Sequence, residues 1–139
     1  MKAKKAPKNV PSVKEYIAAF RKIENKMTEK QKQMLIEHYN SNCHVTTATD
    51  LALLVDYNSH SAGNSQYGAL GSIVAQELGL GKLGVITLVL MIAPDNYSTK
   101  EWLWIMRENV AKALEQLGWV KKTSHLFYPN GMVGPKIDK

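Results

Sequence analysis

Residues 47–79, TATDLALLVDYNSHSAGNSQYGALGSIVAQELG, constrain the fold more than any other stretch, because they read as two helices joined by a turn too short to let them separate. Thr47 with Asp50 three places on is a cap signature, in which each side chain can satisfy a free backbone N–H at the other's position. A helix is predicted to start there, with Leu51, Leu54 and Val55 on one apolar stripe. Tyr57, Asn58, Ser59 and His60 carry turn chemistry, and Ser61 is the expected cap of a second helix. That helix is polar in its first half, carries Leu70, Ile73, Val74 and Leu78 at helical spacing in its second, and stops at Gly79. A short helix, a turn of about four residues and a longer helix outline a helix-turn-helix.

The flanking sequence supplies the rest of the domain. Ser12 with Glu15, and Thr28 with Gln31, repeat the cap signature. The first opens a helix to about Lys26 with Val13, Tyr16, Ile17, Phe20 and Ile23 on one face. The second opens a helix whose inward stripe is Met34, Leu35, His38 and Tyr39, with Lys30, Gln33 and Glu37 toward water. Residues 85–92, VITLVLMI, are β-branched and shorter than ten, which favours a buried strand. After a turn at 93–98, residues 101–106 admit either a returning strand or an early helix. The strand is preferred because Trp102 and Trp104 then share one face, whereas on a helix they would splay. Val110, Ala113, Leu114 and Leu117 mark a last helix that Gly118 stops, with Trp119 and Val120 folding back on the core. The expected fold is α+β, mainly α: a helix-turn-helix core with a β-hairpin, winged-helix-like, and a further C-terminal helix. Residues 1–11 read as a flexible basic arm, 12–122 as the single domain and 123–139 as an extended tail.

Charge is segregated along the chain. Residues 1–34 hold ten Lys/Arg against three acids, 35–99 hold Lys82 against five acids, and 100–139 hold seven against four. The overall +6 suits a polyanionic partner, although the helix-turn-helix segment itself is acidic. The lysine-rich start lacks the apolar segment of a signal peptide, and no apolar run is long enough for a membrane span. A cytoplasmic location with no membrane association is therefore expected. Cys43 is the only cysteine, so no internal disulfide can form.

Several motifs fail on context. Gly79–Gly84 spells G-x-G-x-x-G, but a helix precedes it and a strand follows, the reverse of what a dinucleotide phosphate loop needs, so it is read as a connector. The run from Gly63 to Gly68 is one residue too long for a serine nucleophile elbow. Cys43 and His44 with His38 lack a second Cys/His pair at zinc spacing, and the acids lie singly. The chain is read as non-enzymatic, with no catalytic residue, metal or cofactor.

What remains is recognition chemistry. Asn64, Ser65, Gln66 and Tyr67 open the second helix; the amides offer paired donor and acceptor groups for a base edge, and Tyr67 can stack. The competing reading puts Tyr67 in the core and leaves the amides capping or solvated. Tyr97, Trp102 and Trp104 could line a slot for an extruded base, or be the packing face of the hairpin. Lys4, Lys5, Lys8, Lys121 and Lys122 are the candidates for phosphate contacts.

These residues also carry a resemblance. Thr28-x2-Gln31-x2-Met34-Leu35-x2-His38-Tyr39, Thr47-Ala48-Thr49-x-Leu51-Ala52 with Tyr57, Asn64-x-Gln66-Tyr67-Gly68-x-Leu70-Gly71, Trp104-x-Met106-Arg107 and Ala113-Leu114-x2-Leu117-Gly118-Trp119-Val120 are its parts. Together they resemble a small bacterial helix-turn-helix-like domain found alone or ahead of HNH-type, modified-DNA-directed restriction endonucleases. The similarity spans residues 10–122, and the N-x-Q-Y-G-x-L-G run is its most specific part. It implies a DNA-sensing module in a restriction or phage-defence setting whose partner, such as a nuclease, does the cutting. No HNH metal site follows Lys122 here, so cleavage is not part of the expectation. The expected function is thus a module for double-stranded DNA, plain or modified. The alternative is a protein-docking adaptor or inhibitor that uses the acidic central surface. Oligomeric state is not set by the sequence.

Overall fold

A computed structural model of the chain describes residues 10–81, 89–92 and 103–122. Helices α1 (Val13–Ile23) and α2 (Glu29–Asn40) open on the two predicted capping boxes, Ser12 with Glu15 and Thr28 with Gln31, both reciprocal. After a short 3-10 turn, Asn42–His44, comes a strand the sequence did not suggest, β1 (Val45–Thr46). The pair α3 (Ala48–Leu54) and α4 (His60–Glu77) follows, then strands β2 (Met91–Ile92) and β3 (Trp104–Met106), and α5 (Glu108–Leu117). The three strands form one antiparallel sheet in the order β1-β3-β2. In register, Thr46 faces Trp104, and Ile105 sits between Val45 and Ile92. The fold is therefore α+β and mainly helical, and the order α2-β1-α3-α4-β2-β3 gives the helix-turn-helix a small sheet on its flank, winged-helix-like as expected.

The core lies where the periodic stripes meet. Tyr16, Phe20 and Ile23 of α1, Met34, Leu35 and Tyr39 of α2, Leu51 of α3, Tyr67, Leu70 and Val74 of α4, and Val110 and Leu114 of α5 pack into one cluster. Near-complete burial of such side chains contributes about 1.5–3 kcal/mol apiece before conformational entropy is set against it. Tyr16 also donates its hydroxyl to the carbonyl of Val89, tying α1 to the segment before β2. Trp119 and Val120 do fold back, with the Trp119 ring 5.7 Å from that of Phe20 and the Lys32 ammonium 4.3 Å above it.

Four expectations about local structure need correction; in the first, the strand expected over 85–92 is a strand only at Met91–Ile92, and residues 89–90 before it are not. The second helix of the pair starts on Ser59, whose hydroxyl accepts from Ala62 N at 3.2 Å, so Ser61 is inside α4. The turn can be this short because Asp56 takes a left-handed φ of 65°, which reverses the chain in one residue. Leu54 leaves the predicted stripe: it is 50% exposed beside Leu53 at 67%, while Leu51 and Val55 are buried. Helix α1 ends at Ile23 rather than near Lys26. The preference for a strand over 101–106 holds at 104–106; the basic arm before Val10, the turn expected at 93–98, residues 99–102 and the tail after Lys122 lie outside the described residues. Among the described residues no helix is long and apolar enough to cross a membrane.

Candidate nucleic-acid interface on helix α4

Helix α4 is held in place by three contacts, one with α3 and two with α2. Against α3, Gly63 does what only a glycine can: a Cβ there would stand 2.9 Å from the Ala52 Cβ and 3.1 Å from the Ala48 carbonyl. The two helices of the pair are therefore in backbone contact. Against α2 and the sheet, His38 is the junction. It is fully buried, its Nε2 lies 2.9 Å from the Trp104 carbonyl and its Nδ1 lies 2.8 Å from the Tyr67 hydroxyl. A carbonyl can only accept, so Nε2 carries the proton and Nδ1 accepts from Tyr67. Burial is the main reason that the His38 pKa falls from 6.5 to about 4, partly opposed by its bond to Trp104. Burial likewise raises the Tyr67 phenol well above its usual value. The third contact is Gln31, whose Nε2 is 3.3 Å from both the main-chain and the side-chain oxygen of Gln66.

This framework separates the four residues nominated for base reading. Asn64 and Ser65 are exposed on the outer side of α4, with Ser61 a turn earlier. Gln66 is half-buried at the edge that faces α2. Tyr67 is 0% exposed, bonded to His38 and 5.4 Å from the Trp104 ring, so it cannot stack on a base and its nomination is overturned. The base slot fails at Trp104 for the same reason: at 6% exposure its ring is a core contact of Tyr67. Tyr97 and Trp102 of that slot, and Lys4, Lys5 and Lys8 of the phosphate set, lie outside the described residues. Lys121 and Lys122 are exposed just beyond Trp119. One turn of α2 links them to α4, since Gln31 meets Gln66 while the adjacent Lys32 lies over Trp119.

Sequence reasoning missed two residues that shape this surface. Lys30, assigned to a solvated face, places its ammonium 3.1 Å from the Asp56 carbonyl and 4.8 Å from the Tyr57 ring centre, where it closes the turn between α3 and α4. Gln31 was read only as a cap, yet it also reaches α4 thirty-five residues away. No local pattern encodes such a long-range contact. The outward side of α4 carries Ser61, Asn64, Ser65, Ala69, Ser72 and Gln76, all uncharged, and the helix has no acid before Glu77, which pairs with Lys22 at 3.5 Å. Among the described residues no group of three or more His, Cys, Asp or Glu could hold a metal ion. Cys43 is half-buried in the turn before β1, with a left-handed φ of 55°.

No family model, curated protein or solved structure matches the chain, so its function has to be read from this geometry.

Proposed function

We propose that the protein is a non-enzymatic DNA-binding module that presents the first turns of α4 to a duplex groove, with Asn64 and Ser65 toward the bases. The carrying observation is that this part of α4 is both rigidly seated, through Gly63, His38 and Gln31, and open to solvent. Small uncharged side chains let a groove approach closely, and the positive end of an 18-residue helix favours phosphate nearby. Lys121 and Lys122 supply backbone contacts on the α2 side, and the lysines of residues 1–11 extend the same chemistry. Tyr67 and Trp104 act behind the surface as its support. Modified DNA is the ligand that the motif resemblance adds, and a cytoplasmic location goes with the reading.

The test is a mobility-shift titration with plain and cytosine-modified duplexes at two salt concentrations. Wild type should lose affinity steeply with salt, and Asn64→Ala with Ser65→Ala should remove the part of binding that depends on sequence or modification. Wild-type behaviour from that double variant would defeat the proposal.

A second reading, docking of a protein partner such as a nuclease, is favoured by a different observation. Leu53 and Leu54 lie exposed side by side at the end of α3, between exposed Asp50 and Asp56. It would be preferred if the chain bound no duplex and a partner was retained after nuclease treatment but released by Leu53→Ser with Leu54→Ser.

A further inference from the structure

We infer that Gln66 meets its ligand as a hydrogen-bond donor only, that Gln31 imposes this polarity, and that the group read is therefore an acceptor: the O6/N7 edge of guanine or a phosphate oxygen. The inference rests on the DNA reading of α4 and specifies what one position of that surface can recognise.

The polarity follows from a chain of forced assignments that starts in the cap of α2. The backbone N–H of Thr28 can only donate, so the Gln31 atom 3.0 Å from it is the acceptor Oε1. The other half of the same amide, Nε2, is then a donor directed at α4, 3.3 Å from the Gln66 main-chain oxygen and 3.3 Å from its side-chain amide. A donor can be met only by oxygen, so Gln66 turns its Oε1 inward. Its Nε2 is left with no acceptor among the described residues. Gln31 is itself 4% exposed and held at both ends, so reversing its amide would break the cap of α2.

The chemical consequence separates the bases. A glutamine with both amide atoms available pairs with adenine, accepting from N6 and donating to N7. With its oxygen committed inside the protein, Gln66 cannot accept from the adenine amino group, and an amino group facing an amino group is repelled. Guanine alone presents two adjacent acceptors on this edge, O6 and N7, which both hydrogens of the Gln66 amide can meet, whereas thymine O4 and adenine N7 offer one each; a phosphate oxygen is an acceptor from any direction.

The experiment is selection from a duplex pool with a randomised core, using the full chain as wild type, Gln66→Ala and Gln31→Glu, with thermal unfolding of each. Gln66→Ala leaves Gln31 its main-chain acceptor. Gln31→Glu keeps the oxygen that caps Thr28 but replaces the donor, so the Gln66 amide should turn over and show its oxygen outward. Wild type is expected to enrich guanine at one position. Gln66→Ala should lose that enrichment and bind the selected duplex about tenfold more weakly, and Gln31→Glu should move the preference to adenine or cytosine, whose amino groups donate. A uniform loss of affinity in Gln66→Ala with base preferences unchanged would identify the acceptor as a phosphate oxygen. Adenine enriched by wild type at a position sensitive to Gln66→Ala, or binding by Gln66→Ala equal to wild type, would overturn the inference while leaving DNA binding intact. Absence of any duplex binding by folded wild-type protein would remove both.

Discussion

Acid should unlock the junction of α2, α4 and β3, because the group that joins them is a fully buried imidazole. Protonated His38 would place a charge in the interior and an N–H on Nδ1, where the ring now accepts from the Tyr67 hydroxyl. The folded pKa of about 4 lies below the ordinary 6.5, so the unfolded chain takes up the proton first. Stability is then whole above pH 6.5, declines at about 1.4 kcal/mol per pH unit as the pH falls, and levels off near pH 4. Across that gap the loss is about 3 kcal/mol, a large part of the roughly 5–15 kcal/mol that holds a domain folded. The assay is urea unfolding followed by circular dichroism at half-unit steps from pH 7.5 to 4, for wild type and His38→Gln. The glutamine does not titrate, so the difference between the two curves reports the ionisation of His38 together with its electrostatic coupling to His44. Parallel stability curves for the two proteins would refute the assignment of His38 as the acid-sensitive lock.

Three further substitutions, at two glycines, separate packing from recognition on α4. Gly63→Val should cost about 1–3 kcal/mol in urea unfolding, since its side chain must push Ala52 and the Ala48 carbonyl away, and it should weaken duplex binding by tilting the helix pair. Gly68 has nothing within 4 Å of where a Cβ would stand, so Gly68→Ala should raise stability by up to about 1 kcal/mol. Gly68→Leu should fold normally yet abolish duplex binding; unchanged affinity would move the docking face off α4.

Much of the architecture was legible because it is encoded locally. Capping boxes at Ser12 and Thr28, the glycine stop at Gly118 with its left-handed φ of 79°, and the 3.6-residue stripes of α1, α2 and α5 each specify their own element. Strand β1 was not legible: two residues are too few for a period, and Val45–Thr46 is a strand only because β3 lies beside it. The early start of α4 escaped for a related reason. Ser59 and Ser61 are equally good caps by type, and it is the left-handed Asp56, stapled by Lys30, that selects the first. His38 could be placed in the core from its stripe, but its partners sit 29 and 66 residues away and no spacing announces them.

The candidate site was half legible, and helix geometry says why it could not have been fully so. Each residue turns an α-helix by about 100°, so four consecutive positions sweep most of the circumference and cannot share one groove. Nominating Asn64, Ser65, Gln66 and Tyr67 together therefore contained its own contradiction, resolved only by knowing which side the core takes. Gly63 fixes that side against α3 and His38 fixes it against α2, leaving Asn64 and Ser65 outward, Gln66 on the rim and Tyr67 inward. The same rotation that buries Tyr67 makes it the anchor by which acid at His38 can reach the outward residues. If α4 reads DNA, the duplex affinity of the folded protein should consequently fall as His38 itself takes up a proton, near pH 4, at the lower end of the range over which stability declines.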